Sequence, residues 1–136
     1  MEKTLDYCAS LGFNVKNIDN YIGYAEIGEG EKLIGIPMHL DIVPPGDGWS
    51  VEPFSGIVID NIIYGRGAID NKGAVSMLIH VLKNIEDTYP IINKRIRLIF
   101  GTNEETGMEC IKYYLDKGEE IPSMGFTPDA IYPVVN

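Results

Sequence analysis

Two short apolar runs, residues 32–40 (KLIGIPMHL) and 95–100 (RIRLIF), flank a stretch of different period, and this alternation constrains the chain more than any other feature. Over residues 73–85, Ala74, Met77, Leu78, Val81, Leu82 and Ile85 recur at helical spacing, with Ser76, His80 and Lys83 on the other side. A nearly unbroken apolar run of strand length suits a strand covered on both faces. Strand, helix and strand in that order predict an α/β layer fold, with right-handed crossovers over a largely parallel sheet. In such sheets ligands sit beyond the carboxyl ends of the strands, so the chemistry should be sought there.

The other elements are shorter. Residues 2–11 read as a helix stopped by Gly12. Residues 21–27 alternate as a strand, and the GEGE turn returns the chain into the 32–40 run. Pro37 within that run removes a ladder donor, which predicts a bulge or an edge position. Residues 56–59 and 62–64 flank Asp60-Asn61 as a hairpin. Residues 107–115 read as a second long helix, followed by extended pieces at 124–126 and 131–135.

With 136 residues the chain is long enough for one domain with a real core. Its formal charge of −9 argues against a nucleic-acid partner, because a polyanion-binding surface needs clustered Lys and Arg. No run approaches the ~18 apolar residues of a membrane helix, so no membrane partner is expected. The start, MEKTLDYCASLGF, lacks the features of a signal peptide, which points to the cytoplasm. Cys8 and Cys110, the two cysteines, stand in no paired motif and read as reduced thiols.

Carboxylates gather at the strand ends. His39 and Asp41 (HLD) follow the 32–40 run, and Asp70 (GRGAIDNKG) stands just before a helix. Glu104 and Glu105 (GTNEETG) follow the 95–100 run, and Asp129 (TPDA) follows the piece at 124–126. Taken singly, each has a plain structural reading. HxD is common, Asp70-Asn71 can cap a helix, Glu pairs are usually solvated, and Asp129 after Pro128 can be a turn residue. Their placement at successive strand ends favours one crevice, where so many like charges would resist ionising together without a cation. Imidazole with several carboxylates suits zinc, manganese or cobalt better than calcium or magnesium. Paired metals polarise a carbonyl and lower the pKa of a coordinated water, and a carboxylate free of metal can serve as general base.

The motifs HLDIVPPGDGW, GRGAIDNKG and NEETG, in this order and spacing, resemble the M20 family of co-catalytic metallopeptidases. The segment TPDA-Tyr132-Pro133 is most similar to the family's bacterial dipeptidase branch. The resemblance implies a three-layer α/β sandwich with a largely parallel mixed sheet, of the zinc-exopeptidase kind. It implies two divalent metal ions, zinc first, with manganese or cobalt as alternatives. His39 and Asp129 would ligate one metal, Asp70 would bridge to the second, and Glu105 would ligate the second. Asp41 would orient His39, and Glu104 would be the general base. The implied reaction is hydrolysis of the peptide bond of a dipeptide, a small peptide substrate; an amidase acting on N-acyl-amino acids or succinyl-diaminopimelate is the alternative on the same scaffold.

Asn71 stands where many relatives of this family have Asp. The family's catalytic domain continues beyond Asn136, around a lid domain, to a further metal-binding histidine. Residues 1–136 are therefore expected to be the N-terminal part of that domain, truncated before the lid. A partial domain without catalytic activity is the reading of another class. His80, on the polar side of its helix, is not expected to replace the distal histidine.

Overall fold

The computed structural model describes residues 1–89 and 91–129. The helix α1 (Glu2–Ser10) leads into β1 (Asn14–Ile18), β2 (Ile22–Ile27) and β3 (Leu33–His39). A hairpin of β4 (Ile57–Ile59) and β5 (Ile62–Tyr64) follows, then a π-helical turn (Ala68–Gly73) that opens α2 (Ala74–Thr88). The chain continues through β6 (Arg95–Gly101), α3 (Glu109–Asp116) and the two-residue β7 (Met124–Gly125). The extended piece expected at 131–135, and with it Tyr132 and Pro133, lies outside the described residues.

The main sheet is mixed, in the order β1-β2-β6-β3-β7. β3 runs parallel to β6 and β7, whereas β2 is antiparallel to both β1 and β6. The α/β class therefore holds, and the GEGE turn leads from β2 into β3 as expected, but the two strands are not neighbours. β6 inserts between β2 and β3 instead. The physical reason is burial: β6 carries Leu98, Ile99 and Phe100, each at most 5% exposed, and such a strand gains most by being flanked on both edges and covered on both faces. β1 was not legible as a strand because Asn14, Lys16 and Asn17 are polar and its first four residues are exposed.

Alternation along the strands sorts the side chains into two cores. Leu98 and Phe100 point with Ala25, Ile27, Ile36 and Met38 toward α1 and α2. Ile99 points with Ile22 toward Cys110 and Tyr114 of α3. Three layers result, with the sheet in the middle. Cys8 and Cys110 are both free and buried, one in each core.

The buried stripe of α2 is Val75, Leu78, Ile79 and Leu82. This corrects the expected face, since Met77 and Val81 stand 49% and 42% exposed. Both stripes have helical spacing and share Leu78 and Leu82; docking on the sheet selects the one centred on Ile79. The α3 core also holds a buried cation. Arg97, 4% exposed, donates to Glu26 at 2.6 Å and to the Tyr114 hydroxyl at 2.6 Å, and lies 3.9 Å from the centre of the Tyr24 ring.

Pro37 sits in a regular register opposite Ile99, with no bulge. Alternate residues of β3 face alternate neighbours: Leu33 O accepts from Ser123 N on the β7 side, and Leu40 N donates to Gly101 O on the β6 side. Pro37 thus faces the β7 side, where the described pairing stops at Gly35–Gly125. Its missing N–H costs no ladder bond there.

Candidate metal centre

The carboxyl ends of β3 and β6, and the loop after β7, open on one crevice. His39 closes β3 with an imidazole that is almost wholly buried, at 1% exposure. Its Nδ1 donates to the main-chain oxygen of Asp41 at 3.1 Å, and that bond leaves Nε2 as the atom facing the crevice. Nε2 lies 2.8 Å from Asp70 Oδ1 and 3.5 Å from Asp129 Oδ2. Burial alone would push the imidazole pKa down. The Asp70 hydrogen bond and the charges of Asp129, Asp41 and Asp70 outweigh it and raise the group above its ordinary value.

Asp41 is placed by the loop after β3, and its carboxylate does more than approach the imidazole. Oδ1 lies 3.4 Å from His39 Nδ1. The same oxygen accepts the main-chain N–H of Glu104 at 3.1 Å, and Oδ2 accepts that of Glu105 at 3.1 Å. The aspartate therefore ties the β3 end to the turn after β6. This link joins residues 63 and 64 positions apart, which sequence spacing cannot show.

That turn has a second anchor, which sequence reasoning missed. Asn103 Oδ1 accepts the Glu109 N–H at 2.7 Å and the Tyr21 hydroxyl at 3.0 Å, while Thr102 Oγ1 donates to Tyr21 O at 2.6 Å. Asn103 so satisfies the first N–H of α3 from outside the helix, and the adjacent glutamates are fixed between two polar anchors. The available signal was an asparagine just before the acidic pair, a residue type suited to side-chain-to-backbone bonding. Glu104 is partly buried, and burial pushes its carboxyl pKa up. His39 opposes this, while the charges of Asp129, Glu105 and Asp41 add to it.

Asp70 stands in the π-helical turn that opens α2, where the Asp70–Asn71 peptide bond is cis. Asn71 is buried, with a side-chain oxygen that finds no partner among the described residues.

Two triads of potential ligand atoms, each within 4.8 Å of one another, result: His39 with Asp70 and Asp129, and His39 with Glu104 and Glu105. The described residues thus bring all six predicted side chains to one place, but they group Glu105 with Glu104 and His39 rather than with Asp70. His80 is remote from the crevice; it bonds the Tyr7 hydroxyl at 3.0 Å and Ser76 O at 2.7 Å. The donor set fits a divalent cation. One neutral imidazole nitrogen and carboxylate oxygens suit zinc-like ions, and the one carboxylate with both oxygens already engaged, Asp41, supports the ligands from behind. A cation would also relieve the crowding of the five carboxylates around His39.

The family model described as "Peptidase family M20/M25/M40" matches residues 35–136. The chain belongs to this peptidase family. A Bacillus subtilis protein named "Putative dipeptidase YtjP" is 46% identical over 125 residues, covering 92% of this chain and 27% of the relative. A Staphylococcus epidermidis protein named "Putative dipeptidase" is 39% identical over 138 residues, covering 98% of this chain and 29% of the relative. The chain thus spans less than a third of the length of these relatives. The fold is that of human carnosine dipeptidase 1, with a TM-score of 0.76 at 24% identity, covering 97% of this chain and 32% of that one. Among the described residues no helix is long and apolar enough to cross a membrane.

Proposed function

We propose that this M20/M25/M40 chain supplies the metal-binding part of a dipeptidase centre, with His39, Asp70 and Asp129 holding one divalent cation. Glu105 would serve a second together with Asp70, a pairing taken from the family resemblance, since the side chains themselves group Glu105 with Glu104 and His39. The observation that carries this reading is the buried His39 imidazole with Nε2 directed at Asp70 and Asp129, at 2.8 and 3.5 Å. A bound cation of this type supplies a Lewis acid for the scissile carbonyl and makes water a competent nucleophile at neutral pH.

The chain's own residues divide the remaining work. His39 is held in one tautomer by its Nδ1 bond to the Asp41 carbonyl, so that Nε2 can act as a ligand. Asp41 holds the main chain of Glu104 and Glu105, which fixes the two glutamate side chains relative to His39. Glu104, with its raised carboxyl pKa, is the general base. It takes the proton of the attacking water on a carboxylate oxygen and delivers it to the leaving amine. The substrate class, dipeptides, is favoured by the names of the relatives at 46% and 39% identity.

Calorimetric titration of the chain with Zn2+ and Mn2+ tests the reading. Wild type is expected to bind, His39→Ala to lose binding, and Glu104→Gln to keep it while any dipeptide hydrolysis disappears. Binding that His39→Ala leaves unchanged would sink the assignment of the crevice.

A further inference from the structure

The loop after His39, residues 41–49, makes no backbone–backbone hydrogen bond among the described residues, yet it carries Asp41. Something else must hold it. Two cations of the GRGAIDNKG segment reach across to it. Lys72 Nζ donates to Leu40 O at 2.7 Å, at the root of the loop. Arg66 donates to Pro45 O at 2.8 Å, at its middle. Trp49 Nε1 donates to the same carbonyl at 2.8 Å, and the Arg66 guanidinium lies 5.5 Å from the centre of the Trp49 ring. Between the two cations stands Gly67, with φ +84°, where a Cβ would lie 2.6 Å from Ile42 Cγ2 and 2.9 Å from Lys72 Nζ. The turn backbone is therefore pressed directly against the loop, and the absence of a side chain at residue 67 is what permits it.

We propose that Lys72 and Arg66 are positioning residues of the metal centre, clamping the loop that bears Asp41 to the turn that bears Asp70. The inference rests on the cation site proposed above and adds what sets its spacing. His39 and Asp41 arrive from β3, whereas Asp70 arrives from the start of α2. Charge-assisted hydrogen bonds to two main-chain carbonyls join these pieces without spending any carboxylate of the crevice.

The sign of one measurement separates positioning from simple charge. A lysine near Asp41 and Asp70 repels a cation, so removing the charge alone would tighten cation binding. Removing a clamp would weaken it. Losing a residue that supports metal ligands typically costs about 10–100-fold in affinity, and the exposure of Lys72 puts the expected loss at about 10-fold. The Glu104 and Glu105 amides give a second readout that needs no metal, because their protection depends on Asp41 staying in place.

The experiment compares wild type, Lys72→Met, Lys72→Arg and Arg66→Met by Mn2+ calorimetry and by amide exchange of the metal-free chain in NMR. Lys72→Met and Arg66→Met are expected to bind Mn2+ about 10-fold more weakly and to exchange faster at Glu104 and Glu105. Lys72→Arg, which keeps charge and donors, restores both. Unchanged exchange in Lys72→Met and Arg66→Met, or tighter binding in Lys72→Met, overturns the clamp. If wild type binds no Mn2+, or binds it equally well with His39→Ala, the cation site itself fails, and the exchange rates alone then decide the clamp.

Discussion

Replacing Asp41 tests whether one carboxylate organises the whole crevice. Its two oxygens accept two main-chain N–H groups at 3.1 Å each, from Glu104 and Glu105. Hydrogen bonds to a charged group contribute about 1.5–3 kcal/mol each. The Asp41 side chain is 18% exposed, so water can take over part of this role in a variant. Asp41→Ala is therefore expected to cost about 2–4 kcal/mol, against a total of roughly 5–15 kcal/mol for a domain. For a chain of this size that lowers the melting temperature by roughly 6–15 °C. Asp41→Asn keeps one acceptor but turns an NH2 group toward the second N–H, so it should recover less than half of the loss. Asp47→Asn, an exposed residue of the same loop, removes equal charge and should change little. Differential scanning calorimetry measures the stabilities, and Zn2+ titration should show both Asp41 variants binding more weakly. If Asp41→Ala and Asp41→Asn melt within about 1 °C of wild type and bind Zn2+ as well, the carboxylate does not hold the Glu104–Glu105 turn.

Elsewhere, Arg97→Ala should destabilise the chain by about 3 kcal/mol in urea unfolding, since it leaves a partly buried charge partner, Glu26, behind. The value is moderated because Arg95 remains 3.8 Å from Glu26, and Tyr114→Phe, which loses both the acceptor for Arg97 and the hydroxyl that donates to Glu120 O at 2.7 Å, should cost about 2 kcal/mol. An Arg97→Ala loss under about 0.5 kcal/mol would contradict the buried network. Burial pushes the Cys8 thiol up to about 11 from 9.0. The folded state then holds its proton more tightly than the unfolded state, so this contribution is complete below about pH 9 and is lost as pH rises toward about 11, on the order of 2 kcal/mol in all. Cys8→Ser should flatten that part of the pH–stability curve, and native Cys8 should resist alkylation by iodoacetamide at pH 8. Rapid labelling of folded protein would refute its burial.

The strand ends could be read directly. An apolar run of strand length has to be covered, and the polar residue that follows it has to leave the core, so HLD and NEETG announced where acid and imidazole would stand. The β4–β5 hairpin was equally local: Asp60 and Asn61 both take positive φ, at 51° and 62°, as a two-residue turn between strands requires. These features depend on neighbours a few residues apart, and the chain order carries them in full.

Order in the sheet was a different matter. That β6 lies between β2 and β3 depends on which strand gains most from two neighbours, a comparison made only when the whole chain packs. The α2 stripe had two solutions of the same period, and docking on the sheet selected the one through Val75 and Ile79. Which carboxylate does what was likewise a tertiary outcome. Asp41 stands two residues from His39 in sequence, yet its oxygens serve the backbone of Glu104 and Glu105. Sequence alone determined which chemical groups reach the crevice, because each rides on a local element whose period is written in its own residues. Tertiary structure alone decided how those groups pair, because hydrogen bonds across more than sixty residues form only after the sheet has brought its strand ends together.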